Sequence, residues 1–378
     1  MGSGLRNKRR LRIIALGAVV KRIVSLLVAV VFFLSPDVPA QQQIADQPPR
    51  YHLIQVVDET FLEKVNDTAR HGYRLIAMTA APGSLVAIME RTAQAPAHFN
   101  YLAVPVRGTK SKYETARKTK TEVAQQLNAA GEKGYRLHMT LGNLAVMESN
   151  SDPGTHYQYA LTSPGGFGYF KKDEISDLIS AGYHWAATAT TFLIFEKAVD
   201  SNNAHEASEP RPQAVPYRRF TFPENNIVRS DLPEKQLHKL ASEGARVVDF
   251  FGSPMQMILA MEENVPPSTP YQYIVLKPRN QASPLALHAT MSKVETADLT
   301  NAGQQGFRLL SLSAPAPPFV MEKAPGNTKH YEYQLITATR LAELAEQLNG
   351  PGTNSFHVAK LAATDEGFLV VLEKSDAE

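Results

Sequence analysis

Six stretches of the chain spell one phrase: GYRLIAM from Gly72, GYRLHMT from Gly134, GYHWAAT from Gly182, GARVVDF from Gly244, GFRLLSL from Gly306 and SFHVAKL from Ser355. Gly72 to Gly244 and Gly134 to Gly306 are each 172 residues apart and Gly182 to Ser355 is 173, so a block of three copies reads as duplicated whole. A chain built this way folds by stacking like modules, because a unit of roughly 40 residues buries too little apolar surface to stand alone.

The first copy gives the plan of a module. Tyr51 to Val57 is rich in β-branched and aromatic residues and predicts a strand. Asp58 can cap the helix announced by Phe61, Leu62, Val65 and Ala69 at helical spacing, and Gly72 stands where a left-handed residue stops it. Two strands follow, Tyr73 to Thr79 and Leu85 to Arg91, about a Pro82-Gly83-Ser84 turn. Independent residues repeat the βαββ pattern. Val123, Leu127 and Ala130 form the second helix stripe, Ile175, Leu178 and Ile179 the third, and Leu341, Leu344, Ala345 and Leu348 the sixth. Pro233 falls in the first turn of the fourth helix, where its missing N–H costs nothing.

The expected fold is α+β: six tandem βαββ units in two three-unit lobes, with antiparallel sheets and helices packed on one face. The first lobe is 51–198, with units at about 51–92, 99–149 and 156–198. The second is 217–375, with units at about 217–263, 270–324 and 330–375. Residues 199–216, rich in Ser, Asn, Glu and Pro, read as an exposed linker. Neighbouring units are expected to join edges into larger sheets, since an open edge needs a partner.

A strand such as Tyr331-Glu332-Tyr333-Gln334-Leu335, a Leu-rich helix, then Gly, an aromatic, a polar residue and Leu, then a strand ending near a charge, resembles a small bacterial domain of unknown function. In that family the phrase is usually Gly-Trp-Glu-Leu. Here the aromatic is mostly Tyr or Phe and the Glu position is basic. The resemblance spans nearly all of 51–375; it implies the βαββ fold and carries no known activity, substrate or catalytic residue.

Before residue 41 the chain is of another kind. Arg6, Lys8, Arg9, Arg10, Arg12, Lys21 and Arg22 precede an apolar run from Ile23 to Leu34, and Val38-Pro39-Ala40 follows. This reads as a signal peptide over 1–40, cleaved after Ala40, with a disordered lead-in at 41–50. The run is short of the roughly 20 apolar residues that cross a bilayer. The other reading is an uncleaved anchor from Ile13 to Leu34, burdened by Lys21 and Arg22 inside it. The expected location is therefore periplasmic or secreted. Taking seven basic residues and one acidic from totals of 39 and 37 leaves 32 and 36, a mature charge of −4, which argues against nucleic acid. With no cysteine in the chain, neither a disulfide nor a thiol nucleophile is available.

Two charged positions recur in all six copies. Two residues after the helix stop stand Arg74, Arg136, His184, Arg246, Arg308 and His357; near the end of the last strand stand Glu90, Glu148, Glu196, Glu262, Glu322 and Glu373. Residue types kept through every copy point to a structural ion pair, within a hairpin or between units, because the two positions belong to adjacent strands. The competing reading is a row of sites for an anionic ligand.

Departures from the repeat are the better places to look for function. The second copy carries Arg107, Lys110, Lys112, Arg117, Lys118 and Lys120 against Glu114, a local charge of +5, where the fifth copy is nearly uncharged over Asn280 to Thr290. This is a solvated loop or a contact for an anionic surface such as lipid headgroups or an envelope polymer. The third copy has Pro164-Gly165-Gly166-Phe167-Gly168-Tyr169, which fits neither phosphate-loop spacing, and the single Trp185. HExxH, GxSxG and SxxK patterns are lacking, and the eleven histidines have no metal-ligand spacing. No cofactor or metal is expected. The reading is an exported, non-catalytic binding or scaffold module of the bacterial envelope, its partner an envelope protein or polyanionic surface. The alternatives are a periplasmic hydrolase with a carboxylate site between the lobes, and a purely structural assembly protein.

Overall fold

The computed structural model describes residues 48–376 except 58–59, 92–98, 107–115, 150–154, 163–171, 190–191, 201–217, 222–233, 254–255, 264–269, 277–295, 311–318 and 365–366. The stretch 1–40 read as a signal peptide, the expected 199–216 linker beyond Asp200 and the Gly-rich stretch from Pro164 to Tyr169 therefore lie outside the described residues. Residues Pro49–Glu378 cluster as one compact unit. Among the described residues no helix is long and apolar enough to cross a membrane.

The fold is α+β, with antiparallel three-stranded sheets and helices in alternation. The first segment comprises β1 (Tyr51–Val56), α1 (Phe61–Arg70), β2 (Tyr73–Ala81) and β3 (Ser84–Arg91). The second comprises β4 (Asn100–Pro105), α2 (Ala116–Gly131), β5 (Arg136–Leu141) and β6 (Leu144–Ser149), and the third β7 (Thr155–Thr162), α3 (Lys172–Ser180), β8 (His184–Ala189) and β9 (Phe192–Asp200). The fourth holds β10 (Arg218–Thr221), α4 (Glu234–Ser242), β11 (Ala245–Ser253) and β12 (Gln256–Glu263). The fifth holds β13 (Gln272–Leu276), α5 (Thr296–Gln304), β14 (Arg308–Leu309) and β15 (Phe319–Lys323). In the sixth, β16 (Tyr331–Ala338) and α6 (Leu341–Leu348) lead through a 3-10 turn (Pro351–Thr353) to β17 (His357–Thr364) and β18 (Gly367–Ser375).

Each sheet has its third strand in the middle, as in the order β1-β3-β2. The helix-stop glycine has the positive φ that a side chain resists, 86° at Gly72 and 87° at Gly306. A bulge recurs two residues into the second strand, as between Leu75 and Ala77 and between Leu137 and Met139. Such a bulge bends and twists the edge that carries it.

Among the described residues, six separate three-stranded sheets stand in place of the larger joined sheets expected from the sequence. The outer edge of a first strand is covered instead by the preceding helix: α1 lies on β4, α2 on β7, α4 on β13 and α5 on β16. The cores are consequently shared between segments. Phe61, Val65 and Ala69 of α1 pack with Leu75 and Met89 and with Phe99 and Tyr101 of the next segment. Val123, Leu127 and Ala130 pack with Tyr159 and Leu161 in the same way. Each buried Val, Leu, Phe or Met side chain here contributes about 1.5–3 kcal/mol, so one segment alone would lose much of its core.

The succession closes on itself. β2 lies against β5, β5 against β8, β8 against β11, and β17 against β2, while α6 covers β1. Tyr51, Val86 and Ile88 of the first segment share one core with Leu344, Leu348, Phe356 and Val370 of the sixth.

Candidate functional site

The repeated charges meet at the joints. Register places Arg74 opposite Glu90, Arg136 opposite Glu148 and Arg308 opposite Glu322 in their own hairpins. Yet the guanidinium of Arg74 reaches forward to Glu148 of the second segment, Nη2 to Oε1 at 2.8 Å and Nε to Oε2 at 3.0 Å. Arg136 Nε donates to Glu196 at 2.9 Å, Arg246 Nη2 to Glu322 at 2.9 Å and Arg308 Nε to Glu373 at 2.8 Å. Each spans one joint. The side chain of Glu262 lies outside the described residues.

A third group completes the joint. The residue of the first strand opposite each described Glu is a tyrosine: Tyr51, Tyr101, Tyr159, Tyr273 and Tyr333. Tyr101 Oη donates to Glu148 at 2.8 Å and accepts the backbone N–H of Leu75, in the preceding segment, at 2.9 Å. Tyr159, Tyr273 and Tyr333 repeat both bonds with Glu196 and Leu137, Glu322 and Val247, and Glu373 and Leu309. Burial first, then the adjacent carboxylate, pushes these phenols well above their ordinary value, so they remain protonated donors. Each guanidinium also rests on a ring two residues before the tyrosine: Arg74 on Phe99, Arg136 on Tyr157, Arg246 on Tyr271 and Arg308 on Tyr331, at 4.9–6.0 Å.

A helix side chain secures the strand edge next to this network. Asn66 of α1 accepts from Tyr101 N at 2.7 Å and donates to Tyr101 O at 2.9 Å. Asn128 does the same for Tyr159, Thr300 for Tyr333 and Asn349 for Tyr51. The bridge satisfies an edge N–H and C=O that an added strand would otherwise claim.

The two histidines behave differently from the arginines. His357 faces Glu90 of the first segment, Nδ1 to Oε1 at 3.5 Å, and there Arg50 supplies the guanidinium, Nε to Glu90 at 2.8 Å. His184 faces Glu196 of its own segment at 3.5 Å and shares it with Arg136. Burial by itself would raise the Glu196 carboxyl; bonds from His184, Arg136 and Tyr159 outweigh it and hold the group below its ordinary value. His138 Nε2–H donates to the carbonyl of Leu75 at 2.7 Å, and burial lowers its pKa against the pull of Glu148.

Of the basic stretch, Arg107, Lys110 and Lys112 lie outside the described residues; Arg117 and Lys118 fall on α2, their side chains outside them. Lys120 forms an ion pair with Glu174 of α3. No group of three or more metal-ligating side chains occurs among the described residues.

Sequence reasoning passed over the tyrosine as a partner of the glutamate. Its signal is present in every copy, including Tyr217 in the fourth, one residue before β10. The Asn bridge carries a weaker signal, because the fourth helix has His238 at that place, paired along the helix with Glu234. Chemically, these joints hold carboxylates already neutralised by a cation and a phenol, an arrangement that fixes geometry and offers no free base. No protein-family model, no curated protein and no solved structure matches this chain.

Proposed function

We propose that the chain is an exported, non-catalytic binding or scaffold module of the bacterial envelope, made of six copies of one βαββ module in two sets of three. The observation that carries this reading is the engagement of the repeated polar residues in joints: tyrosine, glutamate and arginine knit one segment to the next at four junctions among the described residues. The third and sixth segments both carry His where the others carry Arg, and Gly131 and Gly303 meet equivalent carbonyls, of Tyr157 and Tyr331, which favours duplication of a three-unit block. Export rests on the basic-then-apolar start and the small-residue site before Gln41. With its polar repeats committed to the scaffold, recognition falls to departures from the repeat, foremost Arg107, Lys110, Lys112, Arg117 and Lys118.

The test is sedimentation of residues 41–378 with phosphatidylglycerol vesicles and with phosphatidylcholine vesicles. Binding to the anionic vesicles that is lost when those five residues become Gln supports the basic stretch as the contact. Equal binding of the substituted chain excludes it, and a partner recovered by cross-linking in envelope extract would then define the surface.

A further inference from the structure

We propose that Asn349-Gly350 is a deamidation site, held back by the joint between the sixth and first segments and, once it has reacted, a bar to that joint. It is the one Asn-Gly step in the chain. Asparagine before glycine is the pairing most open to this chemistry, because no side chain hinders the next backbone nitrogen and the glycine backbone turns freely toward its target.

The reaction needs only water. The Gly350 nitrogen attacks Asn349 Cγ, the new N–C bond closes a succinimide ring, and the Cγ–Nδ2 bond breaks to release ammonia, which carries off the amide proton. Water then opens the ring at either carbonyl. The product is aspartate or, with the main chain rerouted through the side-chain carbon, isoaspartate; nothing is oxidised or reduced.

In the closed molecule each reacting group is engaged. Asn349 Nδ2 donates to Tyr51 O at 3.0 Å and to Ala345 O at 2.9 Å, its Oδ1 accepts from Tyr51 N at 2.8 Å, and Gly350 N–H donates to Gln347 O at 3.2 Å. Both residues are only half-buried, so these bonds, and not exclusion of water, hold the groups apart. The two bonds to Tyr51 part whenever β1 lifts from α6, and local opening of that kind precedes global unfolding.

The other bridging residues differ. Asn66 and Asn128 stand within α1 and α2 and precede Asp67 and Ala129, while Thr300 carries no amide. Gly350 has φ −71° and ψ 159°, a conformation other residues adopt, so the turn itself does not demand glycine. After reaction a carboxylate oxygen replaces Nδ2 opposite the carbonyls of Tyr51 and Ala345. Two donated bonds are lost and acceptors face acceptors; isoaspartate also displaces the main chain at the end of α6. A chain that stays open long enough to react thereby loses its seat for β1.

The test incubates the full chain in mildly alkaline buffer with and without urea, and follows each asparagine by peptide mass spectrometry. In urea, position 349 should convert ahead of every other asparagine. Without urea its conversion should be at least about tenfold slower, the factor given by about 1.4 kcal/mol of local stability. Equal rates in the two conditions overturn protection by the joint, and another asparagine converting first in urea overturns the site. Gly350→Ala, whose added Cβ meets nothing nearer than Gln347 O at 3.2 Å, should slow conversion in urea several-fold; an unchanged rate also overturns the site. Asn349→Asp, which installs one product directly, should lower the urea midpoint of unfolding at least as far as Asn349→Ala, and a midpoint equal to that of the unsubstituted chain overturns the loss of closure.

Discussion

The joint between the fifth and sixth segments and the joint between the sixth and first do the same work by different means. In the former, α5 presses its backbone against β16 so closely that a Cβ on Gly303 would run into the carbonyl oxygen of Tyr331. In the latter, Gly352 takes the corresponding place in the repeat and has open space around it. The closing joint therefore lacks the close backbone approach, and longer side chains reach across: Asn349 to Tyr51, and Arg50 to Glu90 and Asn354. Where two segments are neighbours in sequence, a glycine suffices to seat one on the other. Where they are about three hundred residues apart, directional hydrogen bonds specify the match.

This contrast can be broken in four ways. Gly303→Ala should lower unfolding stability by about 3 kcal/mol through overpacking against a backbone that has nowhere to move, while Gly352→Ala should change it by less than about 0.5 kcal/mol. Equal losses in urea unfolding would show that the two joints are seated alike. Asn349→Ala should cost about 2 kcal/mol by stranding the amide and carbonyl of Tyr51, and Thr300→Val, with longer bonds of 3.2 Å, about 1 kcal/mol. Reversal of that order would assign the directional bonds to the wrong joint.

Arg50→Gln removes a pair whose side chains are 25% and 20% exposed, so about 1 kcal/mol or less is expected, and the loss should shrink in high salt. A salt-independent loss would locate its effect in the Asn354 bond. The smallest effect is on pH. Because the folded Glu196 carboxyl sits below its ordinary value, its contribution is present above the unfolded carboxylate pKa of about 4.3 and is lost as pH falls through the folded value. Glu196→Gln should flatten that part of the acid limb of a stability profile; an unchanged slope would remove Glu196 from the account.

Much of the local fold is legible from the residues. Gly72, Gly134 and Gly306 stop helices where the apolar stripe ends, and Gly142-Asn143 turns a hairpin between β5 and β6. The rows of Arg and Glu are legible too, since they keep step with the phrase. Which Glu each cation meets is not, because spacing puts Arg74 beside Glu90 while the bulge after Leu75 and the packing of neighbouring segments turn it toward Glu148. The closing joint is hidden for a related reason: nothing in the local pattern around Tyr51 announces a partner at Asn349.

That pairing bears on how the protein comes into being. A chain made from its N-terminus presents the edge of β1 long before residue 349 arrives to cover it. Its last-made segment completes its first, so the edge of β1 stays open to pairing with other chains until synthesis has passed residue 349.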